Sequence, residues 1–191
     1  SILIWGANPS HSAPHAHENW LADFSGKTVV VDPIRTKTAT SADLHLQPRP
    51  GCDAALAFSL LHCLQLNGDL DEDYIRANTI GFAEITDNIT RATPEWGETH
   101  CGISSEKIKL AAQIYGEGPA MLWCGQGLQR QATGGNIMRA VGLLPALTGN
   151  IGKPGTGYYY LNITPAIAGI DFDWLQGNNL APDNKKLISH M

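Results

Sequence analysis

The sequence predicts an α/β fold, a three-layer sandwich with a mainly parallel, Rossmann-like sheet. Three short apolar segments, residues 1–5, 27–32 and 120–124, predict buried strands because they are rich in strand-forming residues and end at breakers. Helix-like segments lie between them, and a strand–helix–strand unit implies parallel pairing with a right-handed crossover. Helices on both faces of such a sheet give three layers.

The remaining elements of the first half follow from turn and capping residues. Residues 14–24 suit a helix that ends near Gly26, and residues 43–47 suit a short strand. Asp53 is expected to be the N-cap of a helix that runs to about Leu66 and is apolar nearly all round, so that it lies deep in the domain.

The second half is expected to be mostly helical before its last strand. Residues 71–101 suit two or three short helices, one of them beginning at Pro94. A helix over 133–148 is expected to be interrupted near Pro145, because proline lacks the N–H that continues a helix. We expect residues 1–157 to form one cofactor-binding domain and residues 158–191 to form a C-terminal extension.

Composition excludes several classes of protein. Of the 191 residues 43% are hydrophobic and 16% are charged, an apolar balance that suggests a surface covered by another part of a protein. The net charge of −5 gives no basic footprint for nucleic acid. No run of about 18 apolar residues is present, so no membrane segment is expected in these residues.

The cysteines and histidines give no strong metal motif. Four widely spaced cysteines form no C-x-x-C pair, which argues against an iron–sulfur cluster or zinc ribbon here and favours reduced, buried thiols. His11, His15 and His17 could ligate a metal, but solvated histidines at a helix start are favoured. No catalytic residue can be named. A cytoplasmic location is favoured and a periplasmic one is left open.

Three loops are expected to meet where ligands bind in such folds, beyond the C-terminal ends of parallel strands. The turn Gly6–Pro9 could let a phosphate approach the backbone, or Asn8 could simply close a tight turn. Asp32 could accept ribose hydroxyls, with Arg35 and Thr36 serving a phosphate or a base, or it could pair with Arg35 locally.

The third loop, at residues 125–130, and one further segment around Asp53 complete this expected site. Asp53, just after Gly51, could accept the N–H pair of a guanine as well as cap its helix. The glycine-rich loop at residues 125–130 lacks the G-x-G-x-x-G spacing, because Arg130 stands where the last glycine should be. This departure counts against a plain NAD-dependent enzyme.

An ordered series of motifs resembles the molybdopterin oxidoreductases of the dimethyl sulfoxide reductase superfamily, which include formate dehydrogenases and nitrate reductases. The series covers about residues 1–157. Its segments are WGANP at 5–9, VVDPIRT at 30–36, ADLHL at 42–46, PRPGCDAAL at 48–56, LW at 122–123, GLQ at 127–129 and LTGNIGKPG at 147–155.

The resemblance implies that this is the domain holding the guanosine-diphosphate arm of one of two molybdopterin guanine dinucleotides. Asn8 and its turn would meet phosphates, Asp53 would bind guanine, and Gln126 with Arg130 would approach the pterin side. The full set of cofactor-binding residues expected on this basis is Gly6, Asn8, Pro9, Asp32, Arg35, Thr36, Gly51, Asp53, Gln126, Gly127 and Arg130.

The resemblance also implies what lies outside this chain. The intact protein would be a molybdenum or tungsten bis-pterin oxidoreductase whose 4Fe-4S cysteines and metal ligand precede the Gly6 turn. The chain is then an excised piece, catalytically inactive alone, whose partners are the remaining domains of the polypeptide and electron-transfer subunits. Tyr158–Asn162 stands where formate dehydrogenases carry an Arg-Gly-Gln stretch, which puts formate oxidation in doubt. The alternatives are a free-standing nucleotide-binding module and a non-catalytic subunit-contact domain.

Overall fold

A five-stranded, all-parallel sheet forms the centre of the computed structural model, which describes residues 1–160. Its strands are β1 (Ile2–Trp5), β2 (Thr28–Val31), β3 (Leu44–Leu46), β4 (Met121–Cys124) and β5 (Gly157–Tyr160), in the spatial order β3-β2-β1-β4-β5. The predicted α/β class and parallel sheet are confirmed. β5 was not predicted, and it spans the boundary placed at residue 157. The domain bounds stay a prediction, because residues 161–191 lie outside the described part of the chain.

The register of the strands brings their C-terminal ends to one level. Trp5 of β1 is opposite Val31 on one side and Cys124 on the other, and Val31 is opposite Leu46. Backbone hydrogen bonds continue this alignment into the loops: Gly6 N–H donates to Val31 O at 2.9 Å, and Gly125 N–H donates to Trp5 O at 2.8 Å. The loops after β1, β2 and β4 therefore leave the sheet side by side.

Helices of very different length cover the two faces of the sheet. They are α1 (Pro9–Ser12), α2 (Pro14–Ala16), a π-helical turn (His17–Leu21), α3 (Lys37–Ser41), α4 (Asp53–Asn67), α5 (Glu72–Asn78), α6 (Phe82–Arg91), α7 (Pro94–Cys101), α8 (Ser105–Gly116), a 3-10 turn (Gln126–Gln129) and α9 (Gly134–Leu147). The three-layer prediction is confirmed.

The main hydrophobic core lies between one face of the sheet and the long helices. Leu3 and Trp5 of β1, with residues of β2 and β4, share one buried cluster with residues of α4, α8 and α9. On the opposite face, Ile4 and Val30 form a smaller buried cluster with Ala39 of α3. Because side chains alternate along a strand, Trp5 belongs to the α4 side of the sheet.

Three local predictions were wrong. α9 continues through Pro145 to Leu147, because the proline lies in the last turn, where only one hydrogen bond is lost. The segment expected to form one helix over 14–24 instead combines α2 with the π-helical turn and ends at Leu21. His17 in this segment is buried, not solvated.

Several large apolar side chains lie on the surface of the described residues. Trp20, Ile34, Leu66 and Ile80 are each more than two-thirds exposed. Cys63, Cys101 and Cys124 are buried free thiols, as predicted, and Cys52 is partly buried. Within residues 1–160 no helix combines the length and the hydropathy needed to cross a membrane.

Candidate functional site: a cleft at the C-terminal edge of the sheet

A cleft of about 150 Å³ opens at the C-terminal edge, between the loops after β1, β2, β3 and β4. It brings together four of the predicted residues, Gly6, Asp32, Asp53 and Gly127. The full lining is Gly6, Val31, Asp32, Pro33, Pro48, Pro50, Asp53, Gly127, Leu128 and Gln131. The other predicted residues do not line it. Gly127 also donates its N–H to Gly6 O at 3.4 Å, so that the first and last loops touch.

Glycines allow these two loops to approach so closely. Gly6 has a φ of +61°, and a Cβ at this position would lie 3.1 Å from Leu128 Cγ. A Cβ on Gly125 would overlap the carbonyl oxygen of Gly6 and lie 2.6 Å from Ala7 Cα. Both obstacles to a side chain at Gly125 are backbone atoms, which cannot rotate away. The close approach of the loops after β1 and β4 therefore depends on the absence of a side chain at Gly125.

Asp53 is held by two side chains from other elements. Its Oδ1 accepts a hydrogen bond from Trp5 Nε1 at 2.8 Å, and its Oδ2 accepts one from Gln131 Nε2 at 3.2 Å. Only 5% of Asp53 is exposed. The prediction that Asp53 is the N-cap of α4 was wrong: Cys52 takes that position, and Asp53 is the first helical residue. Its carboxylate is turned to the cleft and the core, not to the helix N–H groups.

Asp32 forms the second acidic wall of the cleft. Its Oδ1 accepts a hydrogen bond from Ile34 N–H at 2.8 Å, and Arg35 is exposed and forms no ion pair within residues 1–160. The alternative of a local Asp32–Arg35 pair is therefore wrong. Burial raises the pKa of the Asp32 carboxyl above its usual value, against the lowering effect of the Ile34 hydrogen bond.

This raised pKa predicts that Asp32→Asn stabilises the domain in the absence of ligand. The folded domain takes up the Asp32 proton more readily than the unfolded chain does. The stabilisation that comes from this proton is complete below the pKa that Asp32 has in the unfolded chain. It is lost as the pH rises through the higher pKa that Asp32 has in the folded domain. We expect Asp32→Asn to raise the free energy of unfolding at pH 7 by under about 1 kcal/mol, because Asp32 is only half-buried.

Urea denaturation at several pH values measures this effect. The gain should shrink as the pH is lowered toward about 4, where the wild-type carboxyl is also increasingly protonated. An Asp32→Asn variant that is less stable than the wild type at pH 7 would contradict the prediction.

Asn8 and Thr36 have structural contacts outside the cleft. Asn8 Oδ1 accepts hydrogen bonds from Ser10 Oγ at 2.7 Å and Thr38 Oγ1 at 3.2 Å, and Thr36 Oγ1 caps α3 by accepting one from Ala39 N–H. The backbone N–H groups of Ala7 and Asn8 donate to no acceptor among residues 1–160. Within the described residues these two donors are therefore unpaired at the end of β1, beside Pro9, which begins α1.

The last predicted residues, Gly51, Gln126 and Arg130, do not line the cleft but adjoin residues that do. Arg130 Nη2 donates to Gln126 Oε1 at 3.1 Å, and both side chains are exposed. Gly51, with a φ of +89°, lies against Gln131, since a Cβ there would be 3.1 Å from Gln131 Oε1. Trp5 and Gln131 were not predicted. In the sequence, nothing distinguishes Trp5 from other core residues. The position of Gln131 just after the glycine-rich loop is only a weak indication of a role in the site.

The side chains of this candidate site do not form a metal-binding cluster. Across residues 1–160, no cluster of three or more His, Cys, Asp or Glu side chains is arranged to hold a metal ion. The site offers two carboxylates, one amide and free backbone donors, a set that suits hydrogen bonding to a polar organic ligand.

Comparison with known proteins identifies relatives that match most of this chain. The chain is 34% identical over 160 residues to the F420-dependent formate dehydrogenase subunit alpha of Methanocaldococcus jannaschii, a match that covers 82% of this chain and 24% of that protein. It is 34% identical over 161 residues to the assimilatory nitrate reductase of Haloferax mediterranei, covering 83% and 22%. It is 32% identical over 160 residues to formate dehydrogenase H of Escherichia coli, covering 82% and 22%.

A solved structure supports the fold. Acetylene hydratase from Pelobacter acetylenicus superposes with a TM-score of 0.73 and 23% identity, over 81% of this chain and 22% of that one. The chain thus spans about a quarter of the length of the relatives that it matches. The profile of the molybdopterin oxidoreductases matches residues 1–181. This match and the relatives confirm the resemblance seen in the motifs, and the chain belongs to the molybdopterin oxidoreductase family.

Proposed function

We propose that this chain is the domain of a larger molybdenum or tungsten bis-pterin oxidoreductase that binds the guanosine-diphosphate arm of a molybdopterin guanine dinucleotide. The observation that carries the proposal is the cleft at the C-terminal edge, where Asp32 and Asp53 lie beside Gly6 and Gly127. In parallel α/β folds this edge is where nucleotides bind.

The donors and acceptors in the cleft fit a nucleoside. Carboxylates accept hydrogen bonds, and guanine presents an N1–H and an amino group side by side, while ribose presents hydroxyls. The two carboxylates come from the end of β2 and the start of α4. A cavity of about 150 Å³ is smaller than usual ligand pockets of roughly 300–1,000 Å³, so it suits a base or a ribose and not a whole dinucleotide.

The donors outside the cleft fit the diphosphate. The N–H groups of Ala7 and Asn8, which have no acceptor within residues 1–160, lie where β1 ends, and Arg35 and Arg130 are exposed cations on the neighbouring loops. Acceptors inside the cleft and donors around it match a neutral nucleoside joined to an anionic diphosphate. Gln126 and Gly127, on the loop after β4, would face the pterin side.

The remaining parts of the enzyme are proposed to lie elsewhere. The metal and its pterins would supply the two-electron chemistry, while this domain binds and orients one cofactor arm. A 4Fe-4S cluster and the metal ligand would be carried by another part of the polypeptide. Other domains or electron-transfer subunits would cover exposed apolar side chains such as Trp20 and Leu66.

Replacing Asp32 tests the proposal. In the complete enzyme, Asp32→Asn should weaken retention of the guanine dinucleotide by roughly tenfold or more, because a hydrogen bond to a charged acceptor is lost. Retention is measured as the amount of guanine nucleotide that the purified protein releases when it is denatured. The variant keeps an acceptor for Ile34 N–H and should not destabilise the domain, so a loss cannot be ascribed to unfolding.

Asp43→Asn is the matched control. Asp43 precedes β3, at the opposite edge of the sheet, where it accepts hydrogen bonds from Lys27 Nζ and Thr28 N–H. The same change of charge there should leave cofactor content unchanged. Equal guanine content in both variants and the wild type would remove Asp32 from the site.

A further inference from the structure

Asp53 is not an isolated acceptor but the middle of a three-residue contact. The indole of Trp5 is fully buried, and its N–H donates to Oδ1, while the amide of Gln131 donates to Oδ2 from the cleft side. Each carboxylate oxygen thus has one fixed donor and keeps acceptor capacity for another. The plane of the carboxylate is determined by residues on two other elements, β1 and the segment before α9.

We propose that Trp5 and Gln131 are positioning residues that fix the Asp53 carboxylate for two-point recognition of guanine, and so set the preference of this site for guanine over other purines. The inference rests on the function proposed above. Recognition by two parallel hydrogen bonds depends on the orientation of the acceptor group, not only on its presence. A carboxylate free to rotate would still attract a donor but would discriminate less between bases.

Gln131 has a second feature that bears on the base. Its Nε2 is used by Asp53, so its Oε1 points the other way, toward Gly51, and accepts no hydrogen bond from residues 1–160. Gln131 and Asp53 both line the cleft, so this amide carbonyl, unpaired within residues 1–160, adds a second acceptor beside the carboxylate on the Gly51 side. Guanine offers adjacent N–H donors on its edge, whereas adenine offers a ring acceptor beside its amino group, so this wall favours guanine.

The experiment compares guanosine diphosphate with inosine diphosphate, which lacks the 2-amino group, in calorimetric titrations of this 191-residue chain. We expect the wild type to prefer guanosine diphosphate by about tenfold, because the missing amino group leaves an acceptor unpaired. Trp5→Phe, which keeps an aromatic ring but removes the donor, should reduce this preference to about threefold or less. Gln131→Met, which removes the amide at similar volume, should do the same.

The controls separate positioning from loss of structure. Gln113→Met changes an exposed glutamine on α8 that is bonded to Glu117, and it should leave the preference unchanged. In an Asp53→Asn background, adding Trp5→Phe should have no further effect on the preference, because both changes act through the same group. If Trp5→Phe does not fold, Gln131→Met alone decides, since Gln131 is only partly buried.

The outcomes distinguish this inference from the proposed function. Equal weakening of both nucleotides by Trp5→Phe and Gln131→Met, with the preference unchanged, would overturn the positioning role while leaving the guanine site intact. A wild-type chain that binds neither nucleotide, or binds both equally, would overturn Asp53 as the guanine acceptor, and the positioning role would fall with it. A reduced preference in both variants supports the inference.

Discussion

A Gly125→Ala variant should lose about 3 kcal/mol or more of unfolding free energy and should no longer bind guanosine diphosphate. The added methyl group would overlap Gly6 O and lie 2.6 Å from Ala7 Cα, so the loops after β1 and β4 must separate. Because Gly125 N–H also bonds Trp5 O, moving this loop weakens the pairing of two central strands. Urea denaturation and calorimetric titration measure the two effects.

Gly135→Ala provides the control for this variant. Gly135 lies in the first turn of α9 and is exposed, and apart from its chain neighbours and the backbone of its own helix, a methyl group added there would have no described atom within 4 Å, so alanine meets no obstacle. The substitution should raise the unfolding free energy by up to about 1 kcal/mol, since alanine has a higher helix propensity than glycine. If Gly125→Ala were as stable as Gly135→Ala, the close packing of the loops after β1 and β4 would be wrong.

Replacing Asp53 by alanine is expected to affect stability and binding together. Trp5 Nε1–H would be left without its acceptor inside the core, which costs about 1–3 kcal/mol, or roughly 2–4 °C in Tm for each kcal/mol in a domain of this size. Binding of guanosine diphosphate should weaken by roughly 10- to 150-fold, as expected for loss of hydrogen bonds to a charged group. Thermal unfolding and calorimetric titration measure the two changes.

Asp53→Asn separates the two roles. Its carbonyl oxygen can still accept from Trp5 Nε1, so most of the stability should be kept. Its amide, however, turns a donor toward the Gln131 side of the cleft, where guanine donors need an acceptor. Guanine binding should therefore fall nearly as far as in Asp53→Ala. An Asp53→Ala variant with wild-type stability would contradict the contact between Asp53 and Trp5.

The sequence was informative where the fold depends on local patterns. The apolar segments at 1–5, 27–32 and 120–124 predicted β1, β2 and β4, because short β-branched segments between breakers suit buried parallel strands. The parallel order then placed Gly6, Asp32 and Gly127 at one edge, which the structure confirms. β5 was missed because its three consecutive tyrosines follow a glycine-rich loop and show no alternation.

The sequence was less informative where contacts join distant segments. Asp53 looks like an N-cap because it begins a helix, and only the arrangement of β1 beside α4 reveals Trp5 as its partner, 48 residues away in the chain. Asn8 similarly bonds Thr38, 30 residues away, in addition to Ser10 of its own turn. Such contacts depend on tertiary packing, which local propensity does not encode.

The cleft and the hydrophobic core share residues: Val31 and Leu128 line the cleft and are almost fully buried, and Asp53 in the cleft wall is bonded to the fully buried Trp5. Anything that occupies this wall therefore acts on folding by mass action. A ligand at about 100 times its Kd would add about 2.7 kcal/mol to the folded state, a sizeable part of the roughly 5–15 kcal/mol typical of a domain. If the cleft holds the proposed cofactor arm, cofactor insertion and folding of this domain are thermodynamically linked, and the empty form should be degraded more readily.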